Sequence, residues 1–425
     1  MNIKQKLLNK ECLSQIKMIY NTDDNGAKQY TDRFLNLIQN YCDVFNDTPE
    51  QLRLFSAPGR TEIGGNHTDH QRGHVLAAGV NLDIIAAVKQ TDSDVIQIKS
   101  DGYDIIRVDL KQLQPIEEEQ GTTVSLVRGI VAYFIKMGYT IKGFHAVMTS
   151  SVLKGSGLSS SAAFEVLVGT ILNALYCQNE QSAVKIAQIG QYAENVYFGK
   201  PCGLMDQAAS SVGSFVAIDF KDAQHPMVEQ ISFDFKDAGH ALCIVDTGGN
   251  HADLTPDYAS VTTEMKSVAA FFGKEVLSEI SENDVYNNIH TLRQKCGDRA
   301  VLRAIHFFAD DKKAVQEAEA LKNNDFETFK KLVIASGISS FTCLQNVYSN
   351  SNPQQQGLSL ALALCQKILG DKGAYRVHGG GFAGTIQAFV PIPLLETFHD
   401  EMEAAFGKNK CYILSIRPVG GIEII

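Results

Sequence analysis

Three consecutive serines behind two glycines form the part of the chain best suited to binding an anion. The run SSVLKGSGLSSSAA spans 150–163. Gly155 and Gly157 permit positive φ and close approach of the backbone to a ligand. The serines at 159–161 should open a helix, and the free N–H groups and dipole at a helix N-terminus attract phosphate. A serine N-cap after a glycine turn would explain the same residues without a ligand.

The same run differs from the two commonest nucleotide-binding loops. No Gly-Lys-Ser/Thr follows its glycines, as a Walker loop requires, and the G-x-G-x-x-G spacing of a dinucleotide fingerprint is missing. The serine hydroxyls could add hydrogen bonds or a Mg²⁺ ligand. The run by itself therefore leaves both phosphate binding and a structural turn open.

A polar, glycine-punctuated segment, APGRTEIGGNHTDHQRGH at 57–74, crowds many hydrogen-bonding side chains into a short stretch. Its principal donors and acceptors are Arg60, Glu62, Asn66, His67, Asp69 and His70. Such a set suits a ligand with many hydroxyl groups, although a polar loop that caps a strand would look alike. The histidines lack the H-E-x-x-H spacing, and no distant carboxylate pattern completes a site, so a transition-metal centre is not expected.

Two carboxylates bracket a Pro-Cys-Gly turn in a third segment, AENVYFGKPCGLMDQ at 193–207. Phosphoryl transfer needs a metal that screens phosphate charge and a group that orients or deprotonates the acceptor hydroxyl. Glu194 and Asp206 could divide these tasks; alternatively, Glu194 is a surface charge and Asp206 an N-cap. The fourth segment, RVHGGGFAGT at 376–385, is a glycine-rich turn, expected mainly to pack its backbone closely against another element.

Length, charge and cysteine content restrict the class of protein. A chain of 425 residues exceeds the usual size of one hydrophobic core, so two domains with a ligand cleft between them are expected. The net charge of −10, without a dense Lys/Arg stripe, argues against nucleic-acid binding. No apolar stretch approaches the ~20 residues of a membrane span. No secretory signal is visible, and nine scattered cysteines fit reduced thiols, so a cytoplasmic protein is expected.

Hydrophobic periodicity predicts an α+β chain with mixed sheets covered by helices. Residues 1–50 are predicted to form a helical extension, with an apolar stripe of Phe34, Leu37, Ile38 and Tyr41. Further helices are predicted at 123–138, 159–177, 182–198, 312–336 within a mainly helical region at 257–370, and 393–407. Strands are predicted at 80–90, 94–100, 214–219, 240–247, 384–390 and 411–419. We place the boundary between a first lobe, 51–220, and a second lobe, 221–425, near residue 220.

The four segments, in this order, resemble the GHMP kinases and, among these, the galactokinases. Galactokinases carry sequences close to GRVNLIGEHTDY, PxGxGLSSSA, PCGIMDQ and TGGGFGG. The corresponding stretches of this chain are 59–70, 153–162, 201–207 and 378–384. The resemblance implies a two-lobed GHMP kinase fold, with an N-terminal lobe like ribosomal S5 domain 2 and a ferredoxin-like C-terminal lobe. It further implies an ATP-dependent sugar 1-kinase that uses Mg²⁺, with galactose as the first candidate substrate.

The resemblance also implies a role for individual residues. Asp206 would face the sugar C1 hydroxyl as a base or an orienting carboxylate, with Arg60 as its charged partner. Ser161 and Glu194 would bind Mg²⁺. The implied sugar contacts are Asn66, His67, Asp69, Gly203 and Tyr258. The implied ATP contacts are Gly155, Ser156, Gly157, Leu158, Ser159, Ser160 and Ser161.

The chain departs from the family pattern where the sugar would bind. Asn66 replaces the family's glutamate, and Glu62 replaces its asparagine four positions earlier. The resemblance implies that this glutamate of galactokinases accepts hydrogen bonds from the outer hydroxyls of the sugar, including the hydroxyl at C6. An asparagine would not repel a carboxylate at C6, and the run HTDHQ is similar to plant galacturonate kinases.

Galacturonate is therefore the first alternative substrate, followed by N-acetylgalactosamine and arabinose. A non-catalytic sensor of sugar and ATP is an alternative of a different class, against which the presence of Arg60, Glu194 and Asp206 argues. We expect a monomer that binds ATP and a small sugar, and neither nucleic acid nor a membrane.

Overall fold

The computed structural model describes residues 2–152, 157–222, 225–249 and 254–425, which form an α+β fold with two β-sheets, as predicted. The α-helices are α1 (Ile3–Leu7), α2 (Lys10–Tyr20), α3 (Asp24–Phe45), α4 (Thr123–Lys136), α5 (Ser160–Tyr176), α6 (Ala183–Ala193), α7 (Met205–Val212), α8 (Thr255–Phe271), α9 (Glu282–Asn287), α10 (Ile289–Cys296), α11 (Asp298–Lys322), α12 (Phe326–Ser339), α13 (Gly357–Leu369) and α14 (Leu395–Phe406). The strands are β1 (Arg53–Gly64), β2 (His74–Gln90), β3 (Val95–Ser100), β4 (Ile106–Asp109), β5 (Phe144–Ser150), β6 (Phe215–Asp219), β7 (Met227–Ile231), β8 (His240–Asp246), β9 (Ala374–Val377), β10 (Thr385–Pro391), β11 (Cys411–Leu414) and β12 (Ile422–Glu423).

The N-terminal segment is helical, as its apolar periodicity predicts. α3 begins after Asp23, whose carboxylate accepts a hydrogen bond from the Gly26 N–H, and ends at Asn46 in the left-handed conformation. All four residues of the predicted stripe are at most 1% exposed. They pack with buried residues of β1, β2 and β5, so this segment covers one face of the first sheet.

The first sheet, here called the large sheet, is organised by the 17-residue strand β2. The first part of β2 pairs with β6, and the second part pairs with β5. β1 runs antiparallel to β2 along most of its length. Its last residues and the loop that follows carry the polar segment that begins at Arg60, so the sheet fixes the position of that segment.

The second sheet, here called the small sheet, has the strand order β11-β8-β10-β9. Numbered by their order in the chain, these strands lie in the sequence 4-1-3-2. Helices connect β8 to β9 and β10 to β11, which gives the β-α-β-β-α-β succession of a ferredoxin-like unit. The glycine-rich turn at 378–384 joins its two neighbouring strands β9 and β10.

Two predicted elements differ from the structure. The helix predicted at 312–336 is divided into α11 and α12, because Asn324 adopts φ +54° and Asp325 caps the second helix through the Thr328 N–H. The strand predicted at 411–419 ends at Leu414. The chain then leaves the small sheet, and Ile416 forms a bridge to Val80 of β2.

The large sheet includes two strands from the predicted second lobe. β7 and β12 follow residue 220, yet they pair with β6 and β1 of the large sheet. The division into lobes at 51–220 and 221–425 remains a prediction. No α-helix in the described ranges is long and apolar enough to span a bilayer, and all nine cysteines have free thiols.

Candidate active site

A cavity of about 240 Å³, here called the central cavity, lies where β1 of the large sheet meets the glycine-rich turn of the small sheet. Its wall also includes the turn Asp69–Gln71 and the segment that leads into α7. The lining residues are Arg60, Glu62, Gly65, His67, Asp69, His70, Glu194, Lys200, Pro201, Cys202, Gly203, Met205, Asp206, Gln207, Gly379 and Gly380. Three of the four segments singled out in the sequence therefore meet around one cavity.

A bidentate ion pair joins Arg60 to Asp206 at the wall of the central cavity. Arg60 Nε donates to Asp206 Oδ1 at 2.6 Å and Nη2 donates to Oδ2 at 2.7 Å. The third nitrogen of the guanidinium donates to the Gly157 carbonyl. Asp206 lies in the first turn of α7, where a negative charge is favoured by the helix dipole.

The surroundings of Asp206 keep it ionised. Burial acts to raise the pKa of this carboxyl, but the charge of Arg60 and hydrogen bonds from Arg60 and Ser159 lower it below its ordinary value. Ser159 Oγ donates to Asp206 Oδ2, which Arg60 Nη2 also contacts. A carboxylate has about four acceptor positions, and three are used within the described residues. One position, on Oδ1, is left for a ligand.

The described end of the serine run begins α5 and connects this remaining segment, 150–163, to the cavity. Ser159 precedes the helix with φ +55°, and its side chain makes no capping bond because it turns to Asp206. The first N–H groups of a 17-residue helix are thus left without a side-chain cap, as an anion site requires. Gly155 and Ser156 lie outside the described residues. Leu158 is buried and accepts a backbone hydrogen bond from Arg60.

Glu194 lines the cavity and shares a hydrogen-bond donor with a second buried acid, Glu165. Gln207 Nε2 donates to Glu194 Oε2 and to Glu165 Oε2, both at 2.9 Å. Burial, and next the charge of Glu194, raise the pKa of Glu165 well above its ordinary value. Lys200 Nζ donates to Glu194 Oε1 at 3.2 Å.

These donors fit a Mg²⁺ ion that is shared with a nucleotide. Mg²⁺ usually takes one or two protein carboxylates together with phosphate oxygens and water. Glu194 offers such a carboxylate to the cavity, and Ser161 lies one turn before Glu165 on α5. The described ranges contain no group of three or more His, Cys, Asp or Glu that could hold a metal ion. A bound Mg²⁺ would complete its coordination with water and with oxygens of the nucleotide.

His67, Asp69 and Gly203 line the cavity near Asp206. His67 adopts φ +62°, and its Nε2 lies 3.0 Å from the Gly380 carbonyl oxygen. Burial lowers the pKa of His67 to about 4, so the ring is neutral at physiological pH. Gly203 is held against Asp69, since a Cβ on Gly203 would lie 3.0 Å from Asp69 Oδ2. These residues present hydrogen-bonding groups on one side of the cavity.

Asn66 is not among the residues that line the central cavity, although it was predicted to contact the sugar. It is fully buried. Its side-chain nitrogen donates to Glu62 Oε1 at 2.9 Å and to the Gly379 carbonyl at 2.7 Å. Its side-chain oxygen accepts from Asn346 Nδ2 at 2.8 Å. The amide group is thus engaged within the protein, behind the cavity wall.

Tyr258 likewise lies behind the glycine-rich turn rather than on the lining. Its hydroxyl donates to the Gly381 carbonyl at 2.9 Å, and its ring packs edge-on against Phe382. A Cβ at Gly380 would lie 2.6 Å from the Tyr258 ring. The close approach explains the glycine there, and it means that Tyr258 supports the wall of the cavity through the turn.

Several lining residues were not assigned by the sequence. From the sequence, Glu62 is a member of the polar segment and a departure from the family's asparagine, with no assigned role. Lys200, Cys202 and Gln207 also have no assigned role, although they lie in or beside the PCGLMDQ motif. Arg376, which is completely buried on β9, supports the cavity by donating to Glu62 Oε1 at 2.8 Å. In the sequence, the position of Arg376 beside the HGGG run is the feature that could have indicated this role.

Two family models match the sequence. The model described as the GHMP kinases N terminal domain matches residues 125–214, which include α5 and α7. The model described as the galactokinase galactose-binding signature matches residues 39–90, which include Arg60 to His70. The two matches therefore cover both sides of the Arg60–Asp206 pair.

Curated relatives match along most of the chain. A galactokinase from Glaesserella parasuis serovar 5 is 31% identical over 345 residues, which cover 80% of this chain and 85% of the relative. A galactokinase from Actinobacillus pleuropneumoniae is 30% identical over 350 residues, with coverages of 80% and 85%.

Solved structures share the fold. The Lactococcus lactis galactokinase complexed with galactose superposes with a TM-score of 0.78 at 22% identity, covering 92% of this chain and 99% of that chain. The Methanococcus jannaschii mevalonate kinase has a TM-score of 0.60 at 15% identity, covering 85% and 98%. Because curated galactokinases are 30–31% identical to this chain over 80% of its length, this chain belongs to the galactokinase family of the GHMP kinases.

Proposed function

We propose that the protein is an ATP-dependent sugar 1-kinase that converts galactose and ATP to galactose 1-phosphate and ADP. The observation that carries the proposal is the ionised Asp206, paired with Arg60 at the wall of a polar cavity and open to one further hydrogen bond. Family membership supports the same phosphotransfer chemistry.

In the proposed reaction, Asp206 receives the hydrogen bond of the sugar C1 hydroxyl on Oδ1. The hydroxyl oxygen attacks the γ-phosphorus of ATP, the bond to the β,γ-bridging oxygen breaks, and ADP leaves. The proton of the hydroxyl passes to Asp206 or to the phosphoryl oxygens. The lowered pKa of Asp206 supports an orienting role more than early proton removal. Such a role suits a loose transition state, in which the nucleophile needs little activation.

Arg60 serves two purposes in this proposal. Its guanidinium keeps Asp206 ionised, and it would stabilise the charge that develops on the transferred phosphoryl group. It also ties β1 to the residues just before α5 through the Gly157 carbonyl. The Arg60 contact thus places the sugar-binding segment and the proposed phosphate-binding helix in a fixed relation.

The nucleotide is proposed to bind at the N-terminus of α5, with contacts from 155–161. When bound, Mg²⁺ would screen the charge of the β- and γ-phosphates. Glu194 and Ser161 would hold it, and Lys200 would have to release one oxygen of Glu194. The free thiols are consistent with a cytoplasmic location. This location and a monomeric state remain predictions.

The first test is ADP release from Mg·ATP with galactose, galacturonate, N-acetylgalactosamine, arabinose and glucose, each at saturating concentration. We expect galactose to give the highest kcat/KM. A preference for galacturonate would replace the proposed substrate and leave the reaction type intact. If the protein binds ATP and sugar but releases no ADP with any of the five sugars, the kinase proposal is overturned in favour of a sensor.

A further inference from the structure

Glu62 is the acidic group that β1 brings into the wall of the central cavity beyond Arg60. Arg60, Thr61 and Glu62 pair in regular register with Gly79, Ala78 and Ala77 of β2. Alternate residues of a strand point to the same face. Glu62 therefore lies on the same side as Arg60, about 7 Å further along the strand.

Two neighbours hold one oxygen of Glu62 and leave the other free. Oε1 accepts from Arg376 Nη2 at 2.8 Å and from Asn66 Nδ2 at 2.9 Å. Oε2 has no hydrogen-bond partner among the described residues, and it is not one of their buried unpaired atoms. Since Glu62 lines the cavity and is 6% exposed, this oxygen is the one that a ligand in the cavity can use.

Asn66 cannot offer a hydrogen-bonding group to a ligand in the cavity without losing its contacts within the protein. Both of its amide hydrogens and its side-chain oxygen are engaged inside the protein. Its backbone is held as well, by Asp310 and His306. One of the Asn66 amide hydrogens serves to orient Glu62, so the pair acts as one unit with the carboxylate toward the cavity.

We propose that Glu62 is the specificity-determining residue of the sugar site, and that its free oxygen accepts a hydrogen bond from a sugar hydroxyl remote from C1. This inference rests on the proposed function, because it needs the reacting hydroxyl at Asp206. The separation of Glu62 from Arg60 along β1 is one that a hexose ring and its hydroxyls can bridge. Asn66 acts behind it as a positioning residue.

The charge of Glu62 gives the proposal a second consequence. An ionised carboxylate at this place would repel a sugar that carries its own carboxylate at C6. Burial raises the pKa of Glu62 to about 7, while Arg376 and Arg60 act to lower it, so an assay at pH 8 tests the ionised form. A neutral hexose should then be favoured over a uronic acid, even though Asn66 stands at the family's glutamate position.

The test compares Glu62→Gln with the wild type at pH 8, with galactose, galacturonate and single-deoxy galactoses as substrates. The variant keeps an acceptor for Arg376 and Asn66 but loses the charge. We expect kcat/KM for galactose to fall at least about tenfold, mainly through KM, and the galactose-to-galacturonate ratio to fall about tenfold or more. In the wild type, kcat/KM for one of the deoxy galactoses should be lower than that for galactose. The variant should no longer show this difference.

Glu317→Gln is the matched control. Glu317 is fully buried near Arg376, and burial raises its pKa well above its ordinary value, but it does not line the cavity. Its replacement should leave the sugar preference unchanged. If Glu62→Gln fails to fold, as its circular dichroism would show, Glu62→Asp takes its place, with the same expected loss of galactose affinity.

The outcomes separate this inference from the proposed function. A wild type that phosphorylates galactose, with the same KM and sugar preference in both Glu62 variants, would overturn the role of Glu62 and leave the kinase proposal standing. Equal effects in Glu317→Gln would assign the loss to the fold around Arg376 and would also overturn it. A wild type that phosphorylates none of the sugars would overturn both proposals.

Discussion

Asp206→Asn should separate binding from turnover, and the hydrogen bonds around the carboxylate indicate by how much. The carboxamide can keep two of the three present bonds if its oxygen takes the place of Oδ2, where Arg60 Nη2 and Ser159 Oγ donate. Its NH₂ group then faces Arg60 Nε and occupies the side of Oδ1. The loss of one charged hydrogen bond should lower the free energy of unfolding by about 1.5–3 kcal/mol.

The same rearrangement removes the acceptor for the sugar hydroxyl, because an NH₂ group can only donate. We expect kcat to fall by a factor of about 10²–10⁴, the usual contribution of a positioned acid–base group. The dissociation constants of sugar and ATP should change less than about tenfold, since one neutral hydrogen bond contributes only ~1 kcal/mol. Steady-state ADP release, calorimetric titration of each ligand and thermal unfolding measure the three quantities.

Glu119→Gln is the matched control for this prediction. Arg128 holds Glu119 in a similar bidentate pair, with bonds of 2.8 and 2.6 Å, at comparable burial and outside the central cavity. The control should lose a similar amount of stability and keep its kcat. Normal turnover in Asp206→Asn, or an equal loss of kcat in Glu119→Gln, would refute the reasoning.

Three further changes probe the fold and the site. Tyr20→Phe removes a hydroxyl that donates to the buried carboxylate of Asp83, and should cost about 1–3 kcal/mol in urea unfolding with kcat unchanged. Burial lowers the pKa of His378 from 6.5 to about 3. Below pH 6.5 the unfolded chain therefore takes up a proton that the folded protein excludes. The free energy of unfolding should then fall as the pH drops, by up to ~1.4 kcal/mol per pH unit. Urea titrations between pH 7 and 5 should show a shallower fall in His378→Asn. Gly203→Ala puts a methyl group 3.0 Å from Asp69 Oδ2 and should raise the sugar KM by about fivefold, the equivalent of ~1 kcal/mol.

Each of these has a control. Tyr286 is 48% exposed, so Tyr286→Phe should leave the unfolding free energy unchanged, and an equal loss in both tyrosine variants would contradict the role of the buried hydroxyl. The side chain of His225 is 84% exposed, and His225→Gln should reproduce the wild-type pH dependence. If His378→Asn shows that same dependence, its buried neutral ring is not the cause. For Gly203→Ala, a change in the KM of ATP as large as that for sugar would argue against a local effect at Asp69.

The sequence was sufficient for the class of fold and for most of the chemistry. Apolar periodicity is a local property, which is why the order of residues alone predicts the stripe of α3 and the strand-rich region of β1 to β3. Glycine and serine runs report local backbone requirements in the same way. The four motifs, taken together and in order, indicated a sugar kinase through their resemblance to the galactokinases.

Tertiary structure alone decided which atoms meet. Arg60 and Asp206 are 146 positions apart, and nothing in the sequence fixes the bidentate geometry of their side chains. The helix predicted at 312–336 was wrong for a related reason: its apolar spacing continues through a break that Asn324 and Asp325 impose by turn and capping geometry.

The clearest example of such a tertiary effect is the pair of Glu62 and Asn66. From the sequence, Asn66 was one of the residues expected at the sugar, and Glu62 was not. Contacts with Gly379 and Asn346, 313 and 280 positions away, engage its amide and leave Glu62 on the cavity wall. The direction of a hydrogen-bonding side chain depends on which distant donors and acceptors the fold brings beside it, and a sequence lists these groups without saying which of them will be neighbours.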